Sequence, residues 1–276
     1  VISNFKPELL HAHMAKSAFI SGKGKHWPET PTIATAQNVV QGRYFHRCPF
    51  VICVSVAVQK TLVEKGFPVE RTRVIYNAVD TKKFLPRKSI LNERNAYGFP
   101  TDRVLCIQLG RREKVKGHTY SFEIIQRLAQ QGEQVHLLVV GDGTQKKKLL
   151  QEVSERRLES RVSFLGFHDQ VEDILPLADL FFMPSLKEGL PLALVEAMAC
   201  GVPCISSNRH APPEVISDSG LLVDPMNVSE ISSSMLSLVN NPNLLSELSK
   251  KSLKRSQDFS WGKNAEQIVR LYEIDI

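Results

Sequence analysis

Pro184-Ser185-Leu186-Lys187-Glu188-Gly189-Leu190-Pro191-Leu192-Ala193-Leu194-Val195-Glu196-Ala197-Met198-Ala199-Cys200-Gly201 is the stretch whose reading decides the fold. The apolar run just before it, Leu180 to Met183, reads as a buried strand. A turn follows that carries a carboxylate and a glycine, then a helix with a second carboxylate on a largely apolar background. Pro191 suits the first helical position, where a missing N–H costs nothing. A helix opening there points its unsatisfied amides, and the positive end of its dipole, at the loop that carries Glu188, and both favour a phosphate. Glu196 lies a little over one turn further in, where a carboxylate accepts hydrogen bonds from hydroxyls of the same ligand. Phosphate together with a polyol points to a nucleotide sugar. The plainer alternative is a loop Glu that caps the helix and a surface Glu on its amphipathic face.

The same alternation extends outward in both directions. From about Arg103 short apolar strands and amphipathic helices take turns: Val104–Leu109 then a helix near Thr119–Gln131, Val135–Val140 then Thr144–Arg157, Val162–Phe164 then Gln170–Ala178, Leu180–Met183 then Leu192–Cys200, and a further strand at Pro203–Ser206. Strand and helix in strict alternation predict a parallel sheet covered on both faces, a doubly wound α/β domain. Ligands of such sheets bind beyond the carboxyl ends of the strands, and Glu188 lies just past one. Earlier in the chain Glu8–His13, Thr32–Ala36, Phe50–Ser55 and Arg73–Tyr76 read as strands, with a helix near Gln59–Lys65. That set is short of the ~100–150 residues usual for a complete domain. The polar, aperiodic stretch Pro86 to Tyr97 reads as a linker. The expected division is therefore residues 1–88, a partial first domain; 89–260, a complete second one; and 261–276, a final helix with apolar positions Ala265, Ile268, Val269 and Tyr272 after a cap signal at Ser260, crossing back towards the first domain.

A chain of 276 residues with 42% hydrophobic content can build substantial cores. Its apolar runs are too short to span a bilayer and no charged-then-apolar leader opens it, so a cytoplasmic protein is expected. Five cysteines, mostly in apolar strand-like or helix-like contexts, read as buried free thiols, and Cys200 and Cys204 lack zinc spacing. The net charge of +6 is uneven: residues 1–90 hold 14 Lys and Arg against 5 Asp and Glu, leaving 21 against 24 for the remainder. A basic first third fits an anionic acceptor or a peripheral contact with an anionic membrane, or a solvated face without a partner. Nucleic acid is disfavoured, because no aromatic stacking platform or recognition motif accompanies the charge.

Gly110-Arg111-Arg112-Glu113-Lys114-Val115-Lys116-Gly117-His118 directly follows the strand Val104–Leu109. In a parallel sheet this places cations at the edge that also carries Glu188 and the helix beginning at Pro191. Arg111 would grip a diphosphate bidentately and Lys116 as a point charge, the alternative being a solvated basic loop. Gly141-Asp142-Gly143 and Gly166 put permissive turns at two further strand ends. His11 and His13, two apart and on one strand face, are candidates for a catalytic or metal pair or for a structural role at a strand end.

Taken in order and spacing, Lys6–His13, Val51–Ser55, Val74–Asp80, Gly110-Arg111 with Lys116-Gly117, Val140–Gly143, Phe164–Gly166 and Pro184–Gly201 closely resemble the retaining glycosyltransferases of family 4, which have the two-domain GT-B architecture. The resemblance implies two Rossmann-like doubly wound domains, the first incomplete here because the chain begins after the region that matches the family's opening strand and Gly-rich loop. It implies transfer of a hexose from a UDP- or GDP-sugar to a glycolipid or polysaccharide, as in lipopolysaccharide or exopolysaccharide assembly, by a protein that is cytoplasmic or peripheral at the inner face of the membrane. Arg111 and Lys116 would hold the donor diphosphate, Glu188 would contact the donor sugar near the reacting carbon, and Glu196 would bind ribose. Backbone around Gly166 and Phe167 would meet the nucleobase, and Gly189, Leu190, Leu192 and Ala193 would complete the phosphate and sugar contacts. No metal or cofactor is implied, in keeping with the lack of an Asp-x-Asp pair. The family commonly places a His where this chain has Gln37, which donates hydrogen bonds but cannot serve as an acid or base. Two rivals follow: a catalytically weak or inactive nucleotide-sugar-binding protein, and a sugar-nucleotide epimerase on the same scaffold, which the Glu188 and Glu196 motif disfavours.

Overall fold

The computed structural model describes residues 5–22, 30–38, 42–87 and 90–274. Two compact units emerge: Val1–Ala78 with Glu188–Leu190 and Trp261–Ile276, and Val79–Lys187 with Pro191–Ser260. Both are α/β with parallel sheets, the GT-B fold.

The first unit runs β1 (Leu10–His13), α1 (Met14–Ser21), β2 (Thr32–Ala36), β3 (Phe50–Cys53), α2 (Val56–Glu64) and β4 (Thr72–Val74). Its four strands pair in parallel in the order β1-β2-β3-β4. Every residue of β2 is buried, as a strand covered on both faces requires. Ser55 caps α2 by accepting the Val58 N–H at 3.1 Å. On one face Ile33, Ile52 and Ile75 pack with Leu271 of the C-terminal helix Trp261–Ile274, with Ile268 and Tyr272 alongside.

In the second unit α3 (Ile90–Tyr97), β5 (Val104–Leu109), α4 (His118–Gln130), β6 (Val135–Val140), α5 (Lys146–Glu155), β7 (Val162–Gly166), α6 (Val171–Ile174), β8 (Leu180–Met183), α7 (Leu192–Ala199), β9 (Cys204–Ser207), α8 (Pro212–Ile216), β10 (Leu221–Val223), α9 (Val228–Val239) and α10 (Pro242–Ser256) follow one another. The six strands form one parallel sheet in the order β10-β9-β8-β5-β6-β7. Chain direction across the sheet thus reverses between β5 and β8, the switch point beyond which such sheets bind ligands. Leu137 and Val139 of β6, with Phe122 and Ile125 of α4 and Phe182 of β8, are buried in the main core.

Two sequence expectations change. The stretch read as a linker holds a helix, α3, because the residue it buries is Arg94, not an apolar side chain. Arg94 is 2% exposed, donates to the Leu177 carbonyl at 2.7 Å and pairs with Asp179 at 2.8 Å, so no hydrophobic period marks the helix. The expected boundary falls on residues 88 and 89, which lie outside the described residues. Val79 belongs to the second unit, where it bridges to Ser260 and donates to the Phe259 carbonyl at 2.9 Å. The helix read over Gln170–Ala178 is cut to α6 and a 3-10 turn, Leu175–Leu177, where Pro176 cannot extend the α-helical ladder. All five cysteines are buried and free.

Candidate functional site

The loops at the switch point are tied to each other. At Gly117, with φ of +72°, a Cβ would stand 2.2 Å from the Pro184 carbonyl oxygen, so only glycine lets the loop after β5 lie against the loop after β8. Leu186 N–H donates to the Val115 carbonyl at 2.8 Å across the same seam. The next strand end joins them: Gly141 N–H donates to the Gly166 carbonyl at 2.6 Å, and a Cβ on Gly141 would meet the Gly110 carbonyl oxygen at 2.1 Å. The ends of β5, β6, β7 and β8 therefore form one closely packed edge.

Two adjacent arginines take opposite fates there. Arg112 is 1% exposed, pairs with Asp142 at 2.9 Å and lays its guanidinium over the Phe164 ring at 5.6 Å. Arg111 is exposed at the strand end. Lys116 closes the 3-10 turn Lys114–Lys116 and runs its aliphatic stem beside Gly110, its Cε 3.7 Å from where a Cβ would stand. Gln108, a buried polar residue within β5, fixes this loop: its Nε2 donates to the Lys116 carbonyl at 2.8 Å, and its Oε1 accepts from Ser121 at 2.7 Å. The sequence reading missed Gln108, although a lone amide in an apolar strand was a signal. His118 opens α4 buried, and burial, with the charges of Arg112 and Lys116, lowers its pKa to about 4, so it adds no positive charge at neutral pH.

Gly166 ends β7 with φ of +84° and nothing within 4 Å of a Cβ, so its conformation, and not its space, calls for glycine. Phe167 beside it is 78% exposed, an unusual setting for a phenyl ring. Pro191 occupies the N-cap of α7, with ψ of 89°, and not the first helical position expected from sequence, because the chain is still non-helical there. The N–H groups of Leu194 and Val195 both reach the Pro191 carbonyl, and no side chain caps the helix. The amides of Leu192 and Ala193 thus precede the helical ladder. Glu196 follows one turn on, half-buried. Burial raises its carboxyl to about 7, with the Glu172 charge adding to the effect and Lys83 opposing it.

Arg111, Lys116, Gly166, Phe167, Leu192, Ala193 and Glu196 all stand on the second unit, at the carboxyl edge of its sheet. Glu188, Gly189 and Leu190 group instead with the first unit. Glu188 and Leu190 are each 8% exposed, and a Cβ on Gly189 would stand 2.2 Å from the Gln37 carbonyl oxygen. The Gln37 side chain accepts from Asn77 Nδ2 at 2.6 Å. His11 bonds Tyr272 Oη at 2.6 Å and Thr35 Oγ1 at 2.7 Å and stacks on His13 at 4.3 Å, which gives it the structural role at the strand end. Burial, then the His13 charge, lowers its pKa to about 4.

The family described as glycosyl transferases group 1 matches residues 89–274, and that described as glycosyltransferase family 4 matches residues 1–83. The chain is a member of the group 1 glycosyltransferase family. Among the relatives of this glycosyltransferase chain, the putative glycosyltransferase EpsF of Bacillus subtilis is 34% identical over 58% of the chain and 42% of its own length. The N-acetyl-alpha-D-glucosaminyl L-malate synthase of Bacillus anthracis is 31% identical over 80% of the chain and 58% of its own length. The chain thus spans about half the length of these curated relatives. Among solved structures, HepE from Anabaena, crystallised with UDP, superposes with a TM-score of 0.90 at 20% identity, covering 99% of this chain and 80% of that one.

Proposed function

We propose that this chain carries the donor-binding part of a retaining glycosyltransferase, which moves a hexose from a UDP- or GDP-sugar to a glycolipid or polysaccharide acceptor without a metal ion. The observation that carries this reading is the switch point of the second unit, where Arg111, Lys116 and the uncapped start of α7 share one sheet edge with Glu196. A departing nucleoside diphosphate gains negative charge as its bond to the sugar breaks. Fixed cations and helix amides stabilise that charge more in the transition state than in the ground state, which is what acceleration requires. Glu196 would accept from the ribose hydroxyls, Glu188 would act at the sugar near the reacting carbon, and Gly189 and Leu190 would hold the sugar beside it. Phe167 and the backbone at Gly166 would meet the base. The UDP complex of HepE supports a nucleotide-sugar donor, and two further sequence relatives, an O-antigen and an amylovoran biosynthesis glycosyltransferase, support a role in polysaccharide assembly. The basic first third suits an anionic acceptor or membrane surface, at the cytoplasmic face.

Calorimetric titration tests the reading. Arg111→Ala and Lys116→Ala should weaken UDP binding at least tenfold while uridine affinity changes less, since their charge meets phosphate alone. Wild-type UDP affinity in both variants would remove the basis of the assignment. A second reading, a nucleotide-sugar-binding protein with little transfer activity, draws on Gln37, whose amide is neither acid nor base. Donor binding without transfer or slow donor hydrolysis would favour it.

A further inference from the structure

A cavity of about 220 Å3 opens in the second unit where the loop after β5 meets α4 and α5. His118 faces it, only 3% exposed, and its Nε2 is buried with no hydrogen-bond partner among the described residues. An unpaired buried polar atom is costly, and its retention calls for an explanation. Around it stands the start of α4, a helix of 13 residues with Gly117 at its N-cap, no side-chain cap and no acidic residue in its first turn. The Tyr120 and Ser121 N–H groups turn back to the Gly117 carbonyl, at 3.0 and 3.2 Å. Those of His118 and Thr119 precede the helical ladder, at the positive end of the dipole. Lys114, which opens the turn before the helix, and Lys148 of α5 line the same cavity, and both are exposed. One carboxylate shares the lining, that of Glu113, whose Oε2 accepts from the Thr144 hydroxyl at 3.0 Å. Leu149 and Leu186 add an apolar wall.

We propose that this cavity binds a small oxyanion, a phosphate group either free or on a small monoester, with His118 Nε2, the first α4 amides and the two lysines as its donors. Uncapped helix amides, with no carboxylate in the first turn to compete, suit a phosphate oxygen. A neutral imidazole protonated at Nε2 donates to that oxygen, which gives the buried nitrogen the partner it lacks. Lys114 and Lys148 outweigh Glu113 in charge, so the lining as a whole favours an anion. The volume lies below the roughly 300 Å3 at which cavities for drug-sized ligands begin, so the ligand is small. The Leu149 and Leu186 wall leaves an apolar surface beside the anion for the carbons of an ester. None of the residues assigned above to the nucleotide sugar lines this space, so the site stands apart from that reading.

Titration of the full chain with inorganic phosphate and with glycerol 1-phosphate tests the proposal, read by calorimetry and by the imidazole 1H–15N correlation of His118, assigned with His118→Phe. Both probes should shift the His118 resonances saturably. Tighter binding of the ester would show that the apolar wall is used, and equal affinity would name free phosphate as the ligand. Lys148→Glu, at an exposed position on a helix surface, should keep the fold and weaken both probes about tenfold, as loss of a charged donor requires. His118→Phe should abolish binding, whereas Arg111→Ala should leave it within about twofold. Phosphate affinity unchanged in Lys148→Glu, or no saturable shift at His118 at millimolar probe, overturns the proposal. Binding lost in Arg111→Ala and kept in Lys148→Glu overturns it too, because it places the anion at the donor edge. None of these outcomes turns on UDP, so the cavity and the donor reading stand or fall separately.

Discussion

Glu196→Gln removes a titrating group and keeps its shape, so its effect can be worked out from the site. Burial first, then Glu172, raises the folded-state carboxyl from 4.5 to about 7. At 1.36 kcal/mol per unit, this shift corresponds to about 3 kcal/mol between the protonated and ionised forms. Because the folded value lies above the unfolded one, the acid's contribution to stability is whole below about pH 4.5, shrinks as the pH rises and is gone above about pH 7. At pH 8 the wild type therefore carries a desolvated charge that the Gln variant lacks. Urea unfolding followed by circular dichroism should give the two proteins nearly equal stability near pH 4.5. The gap should open through pH 6 and 7, until the variant is more stable by about 3 kcal/mol at pH 8. UDP affinity should move the other way, falling by about 1.5–3 kcal/mol at pH 8 with the loss of a charged acceptor. A stability gap that ignores pH, or a variant less stable than wild type at pH 8, would refute the reasoning. Such opposition is the signature of a group held for binding at the expense of stability.

Two further outcomes follow from packing and titration. Gly117→Ala places a methyl 2.2 Å from the Pro184 carbonyl in a left-handed conformation, and should lower stability by at least about 2 kcal/mol and loosen the loop that carries Lys116; an unchanged urea midpoint would refute the close seam. His11, with its pKa lowered to about 4 against an ordinary 6.5, contributes stability that is full above pH 6.5 and lost as the pH falls through about 4. His11→Gln should flatten that acid limb, and an unaltered pH dependence of unfolding would dismiss the assignment.

How much of this was legible in the sequence depends on what each element buries. Strands β5 to β9 were readable because strands covered on both faces are continuous apolar runs ending in glycine or a turn. Helix α3 was not, since its inward side chain is Arg94, and α1 was not, since Met14–Ser21 is short and has little hydrophobic asymmetry. Arg111 could be singled out beside Arg112, yet only the structure shows that Arg112 is consumed by Asp142 and Phe164 while Arg111 stays exposed. Glu196 was legible as a carboxylate on an apolar helix. The Lys83–Glu172 pair was not, because its members come from a connecting segment and a one-turn helix that tertiary structure alone brings together.

Two opposed electrostatic demands meet at this edge. A diphosphate needs positive charge, which on the proposed reading Arg111, Lys116 and the α7 amides would provide without a competing imidazolium, since burial, with the charges of Arg112 and Lys116, keeps His118 neutral. A ribose needs a negative acceptor, and an ionised Glu196 near a diphosphate would repel it. Holding Glu196 close to its ionisation point reduces that conflict. With its carboxyl raised to about 7 by burial, the acid gives up less to desolvation, and on the proposed reading the hydroxyls of a nucleoside would favour the ionised form that they can bond. A bound diphosphate would push the equilibrium back, and the cations of the β5 loop would set the balance. On the proposed reading, phosphate and ribose recognition would be coupled through charge, although Arg111 and Glu196 lie on different elements.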